Sequence, residues 1–159
     1  MPSAVGRIAA RSVVLAVLLA LPVTSQAAII GTCRIVINSA GTLKINPALN
    51  VLSSKQAGGL PAGATITASS LLCSLLAILD CYSVSAIAPA SFLSAPAAGQ
   101  TNLTFTSTFK LNGGADNPGS IPVRVVNGVY TTQVDLIATK SAGIFPTGTY
   151  QAQVLVRCE

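Results

Sequence analysis

Apolar and polar residues alternate with a two-residue period through most of the chain beyond residue 27, and the alternation is sharpest at its two ends. In residues 148–158 (GTYQAQVLVRC), Tyr150, Ala152, Val154, Val156 and Cys158 share one face, while Gln151, Gln153 and Arg157 share the other. Near the start of this region, CRIVIN repeats the arrangement, with Cys33, Ile35 and Ile37 on one face and Arg34 and Asn38 opposite. These two segments are expected to be strands that lie side by side or face to face, with both cysteines pointing inward. Between them TLKIN, ALNVL, ATITASS and YSVSAIA read as strands. TNLTFTSTFKLN places Leu103, Phe105, Ser107, Phe109 and Leu111 on one side and threonines, Lys110 and Asn112 on the other.

Punctuation between these runs comes from Gly, Pro, Ser and Asn. SSKQAGGLPAG, APASFLSAPAAGQ, NGGADNPGS and SAGIFPTG are loops. Asn127-Gly128, flanked by IPVRVV and VYTTQVDLIAT, predicts a two-residue hairpin, because both central residues of such a turn take positive φ. LLCSLLAIL suits either a helix or a buried strand. Its length and neighbours favour strand, with a turn around residues 75–80. The total is seven to eight strands, with no sustained helical period after residue 27 and no internal repeat. The expected fold is all-β, an immunoglobulin-like two-sheet sandwich, since long irregular crossings replace the even hairpins of a closed barrel.

The first residues differ in kind. MPSAVGRIAAR carries two arginines, SVVLAVLLALPV is uninterruptedly apolar, and TSQA supplies small residues, which is the pattern of a secretory signal peptide over 1–27 cut after Ala27. The apolar run is shorter than the roughly 20 residues that span a bilayer, so no membrane span is expected once the signal is removed. The remaining residues, 28–159, suit one domain with a sizeable core. The expected location is exported: periplasm, cell surface or extracellular.

In an oxidising compartment the four cysteines become a framework for disulfides. Three pairings exist, and Cys33 with Cys158 and Cys73 with Cys81 is preferred: the first two are terminal and inward, the second two bracket a short turn. With no CxxC spacing and no histidine, no metal site is expected. Loss of Arg7 and Arg11 with the signal leaves seven basic residues against four acidic ones, a charge of +3. The basic residues are scattered singly, so no nucleic-acid partner is expected. Charged residues are only 8% of the chain, and a surface covered instead by Thr, Ser, Asn, Gln and Gly associates readily.

No catalytic constellation is found. The usual triads lack their base without histidine. Of the acids, Asp80, Asp116, Asp135 and Glu159, Asp116 sits in a turn, Asp135 falls on the polar side of a strand and Glu159 ends the sequence. No GxGxxG occurs, and no cofactor is expected. Most aromatics read as core, with Tyr82 and Phe145, near turns, as candidate ligand contacts.

The leader, the early cysteine entering a strand in CRIVI, the Gly, Thr and Ser rich middle and the closing PTGTYQAQVLV together resemble the pilin-like secreted β-sandwiches of bacteria. These include the spore coat protein U type and chaperone-usher fimbrial subunits. The likeness spans most of residues 28–159 and is one of pattern. It implies an exported structural or adhesive subunit, not an enzyme, with like subunits or a periplasmic chaperone as partners. Such subunits commonly complete a neighbour's sheet with an added strand. The alternative is a self-contained secreted module that binds a glycan or protein ligand without polymerising.

Overall fold

The computed structural model describes residues 31–75 and 81–159. The expected leader, its cleavage point and Asp80 lie outside these residues. The alternating runs form ten strands: β1 (Gly31–Ser39), β2 (Lys44–Ile45), β3 (Val51–Ser53), β4 (Ala62–Ser70), β5 (Ser83–Ile87), β6 (Leu103–Leu111), β7 (Asn117–Pro118), β8 (Val123–Arg124), β9 (Gly128–Lys140) and β10 (Leu155–Cys158). Three of these, β2, β7 and β8, are two residues long, too short for any periodicity to announce.

The strands build an all-β sandwich of two antiparallel sheets. The larger runs β1-β4-β9-β3-β2, with β6 on the opposite edge of β9 and β7 beyond it. β9 holds this sheet together, because one of its edges serves β4 with residues 128–134 and β3 with residues 137–139. The smaller sheet is β10-β5-β8. Between the sheets lie Ile66, Val84, Ala86 and Phe109, each fully buried, with Tyr82, Val125 and Val134 around them. A second cluster gathers Leu52, Phe92, Ala138 and Phe145. There Phe92 sits edge-on to Phe105 at 4.8 Å and to Tyr150 at 5.1 Å, a favourable arrangement of ring quadrupoles.

Both preferred disulfides are present. Cys33–Cys158 joins β1 to β10 with Cα atoms 6.1 Å apart, and Cys73–Cys81 closes a sequence separation of 8.

The short loop departs from expectation, since LLCSL at Leu71–Leu75 is α-helical (α1) where a strand was favoured. Ser70 caps it, its Oγ accepting the N–H of Cys73 at 3.4 Å. Leucine has good helix propensity, and the Cys73–Cys81 bond requires the chain to turn back at once.

Asn127-Gly128 also departs, for it makes no hairpin: β8 belongs to the smaller sheet and β9 to the larger, so the chain crosses between sheets there. The Asn127 side chain instead completes the end of β4. Its Oδ1 accepts the N–H of Ser70 at 2.7 Å and its Nδ2 donates to the Ser70 carbonyl at 2.8 Å. A side-chain amide thus stands in for a strand partner, offering one acceptor and one donor to the Ser70 backbone.

Candidate functional site

The two sheets are joined on one side by the Cys33–Cys158 disulfide and, among the described residues, are sewn by backbone hydrogen bonds along the other. On that side Ala86 donates its N–H to the Gly119 carbonyl (2.9 Å), and Gly119 donates to the Ser107 carbonyl (2.8 Å). Ser107 Oγ closes the circuit onto the Ala86 carbonyl. Only glycine fits at position 119, since a Cβ there would run into Ser107 Oγ and the Ala86 oxygen. On the other side β1 is the edge of the larger sheet and β10 the edge of the smaller one. Among the described residues β1 pairs with β4 and β10 with β5, but the two do not pair with each other.

Size explains the mismatch. Three strands face seven, and the smaller sheet stops short because β5 ends at Ile87, just before Pro89, which has no N–H to give. Upstream of Leu155 the closing segment therefore has a single bridge, with Gln151 paired to Ser94. The expected strand over 148–158 is regular only at Leu155–Cys158. Its side-chain alternation nevertheless persists: Tyr150, Ala152, Val154, Val156 and Cys158 are half-buried, and the residues between them are exposed.

The result is an open groove of about 1010 Å³. One wall is the end of β1, at Ile37 and Ser39, with its continuation to Ile45, the other is the segment 146–156, and the floor is the inward face of the larger sheet at Ala64, Val134 and Leu136. Cys33–Cys158 lies at one end. Moving away from it, residue numbers rise along β1 and fall along the closing segment, so the two walls run antiparallel as they part. The inward side chains of β1 record that parting. Cys33 and Ile35 are half-buried, while Ile37, the next residue on the same face, is 67% exposed. Leu60 (61%) and Leu93 (73%) stand uncovered along the same groove. Lys44 is the one charged residue among the described lining.

Of the sequence candidates, Phe145 lines this groove while its ring packs in the second core cluster. Tyr82 is buried in the main core and offers no ligand contact. Asp135, expected on a wet face, is buried, because the Ser54–Lys55 turn folds over it. Ser54 Oγ donates to its Oδ1 at 2.6 Å, and Lys55 Nζ lies 3.8 Å from its Oδ2. Lys55 also binds Asp116 at 2.8 Å, and Lys110 approaches the same carboxylate at 3.7 Å. The structure therefore brings Asp116 and Asp135 together about one lysine, a loop tie outside the groove. No group of three or more His, Cys, Asp or Glu that could hold a metal occurs among the described residues.

The hydrogen bond from Lys55, joined by the charges of Lys55 and Lys110, holds the Asp116 carboxyl below its ordinary value. A depressed folded-state pKa contributes stability above the unfolded value, and that stability is lost as pH falls through the folded one. Urea midpoints measured against pH are expected to fall less steeply below the usual aspartate range in Asp116→Asn than in the parent. The difference should be small for so exposed a pair.

Sequence reasoning missed the groove lining at Leu60 and Leu93. The available signal was a large apolar residue inside a loop-forming stretch, alone in GGLPAG and next to Phe92 in SFLSAP.

No helix among the described residues is long and apolar enough to cross a membrane. Compared with family models, curated proteins and solved structures, the chain has no match.

Proposed function

We propose that this is an exported structural or adhesive surface protein, of the fimbrial or coat subunit kind, which assembles by accepting an extended strand from another chain into its groove. The observation that carries this is the open seam. It is flanked by the free edge of β1 and by the segment 146–156, of which Leu155–Cys158 is regular strand, and among the described residues these two do not pair with each other across the apolar floor. A lipid or other apolar ligand would cover the floor and leave those edges unpaired. An added strand satisfies both. Because the walls are antiparallel, the guest runs parallel to one and antiparallel to the other, with alternate side chains on the floor.

The test is a synthetic peptide of roughly ten residues alternating valine and threonine, with a terminal glutamate to face Lys44, titrated against the oxidised protein. Saturable binding is expected. Methylating three alternate backbone nitrogens removes three hydrogen bonds and should weaken it by about tenfold or more. Equal binding of the methylated peptide would reduce the groove to an ordinary apolar pocket. Native sizing of the exported protein then separates a polymer subunit from a self-contained module, which stays monomeric while still binding the peptide.

A further inference from the structure

We propose that the Cys33–Cys158 disulfide is a redox latch on the groove: oxidised, it fixes the spacing of the two walls so that a guest strand can bridge them; reduced, it lets them part and the guest leave. The inference rests on the strand-acceptor reading of the groove.

Its physical basis is the unequal closure of the two sides of the sandwich. The Ala86–Gly119–Ser107 side is held by backbone and side-chain hydrogen bonds, which a thiol reagent does not touch. On the open side the disulfide is the only covalent link between the walls, and no strand pairing reinforces it among the described residues. Both cysteines are half-buried. After reduction β10 would keep its place in the smaller sheet. It pairs with β5 over Leu155–Cys158, and beyond it Ser83 and Glu159 exchange two backbone bonds at 2.6 and 3.0 Å. What reduction releases is the distance from β10 to β1, the quantity that decides whether one strand can bond to both. The inward face of β1 is covered near the disulfide, at Ile35, and uncovered farther from it, at Ile37.

The chemistry is ordinary exchange with a dithiol. The dithiol gives two electrons and two protons and closes to its own cyclic disulfide, the Cys33–Cys158 sulfur–sulfur bond breaks, and two thiols remain. A disulfide oxidant reverses it. By linkage, whatever factor reduction takes from guest affinity, a bound guest must return as resistance to reduction.

Two measurements with the valine–threonine peptide test this. Cys33→Ser/Cys158→Ser, with Cys73 and Cys81 retained, is expected to bind it about tenfold more weakly than the oxidised parent, within the usual range of coupling between sites. Should that variant not fold, the reciprocal experiment needs only the parent. The dithiothreitol concentration that half-reduces Cys33–Cys158, read by thiol alkylation and peptide mapping, should rise by the same factor when peptide is saturating. The value for Cys73–Cys81 should not move. A parent that binds peptide, yet whose Cys33–Cys158 reduces at the same dithiothreitol concentration with and without it, overturns the latch and leaves the acceptor reading intact. If the oxidised parent binds no peptide, the acceptor reading falls and the latch with it.

Discussion

Replacing Cys33 and Cys158 together by serine is expected to lower the free energy of unfolding by about 5 kcal/mol, the larger loss of the two disulfides. The bond closes a sequence separation of 125, nearly the whole described domain, so cutting it returns more freedom to the unfolded chain than any other single change. The Cys73–Cys81 bond closes a separation of 8, and the corresponding double serine variant should lose about half as much. Urea unfolding of the three proteins checks the order. A reversed order would mean that the native state, through α1 and the Ser70 cap, depends on the short loop more than chain entropy does. Small domains hold roughly 5–15 kcal/mol in all, so the terminal variant stands near the edge of folding. This loss acts chiefly through the unfolded state, whereas guest affinity is measured on folded protein. The two effects of one bond are therefore separable.

Much of the fold was written in local pattern. β1, β4, β6 and β9 lie where alternation placed them, and both cysteine pairs form as inward direction and sequence distance suggested. Features decided by contacts distant in sequence were not legible. Asn127 bonds Ser70, 57 residues away, so the turn it would make alone is overridden. Asp135 is polar by pattern and buried by a lysine and a serine about 80 residues earlier. The groove is the clearest case. Ile37 carries the alternation of a core residue, and it is exposed because no strand of the smaller sheet covers it among the described residues, a fact that no local window contains. A pattern assigns each strand a face to bury. It does not count the strands available to cover that face.

Phe109→Ala and Ile37→Ser should separate the filled part of the interior from the unfilled part. Both residues point to the inside of the larger sheet, and sequence alone would rank them as equal core positions. Phe109 is fully buried against the main cluster and paired in register with Val134, so truncation removes a large ring and leaves a cavity that packed neighbours cannot collapse into. A loss of about 3–5 kcal/mol is expected in urea unfolding. Ile37 is 67% exposed, so serine there should shift the same curve by no more than about 0.5 kcal/mol. Its cost should appear instead in peptide affinity, because a guest strand would cover the isoleucine that the isolated protein leaves wet. A fall of about tenfold follows from burying a side chain of this size. If Ile37→Ser destabilises the free protein as Phe109→Ala does, the seam is closed in solution and the groove is not a vacant strand position. If it does neither, the guest does not enter between β1 and β10.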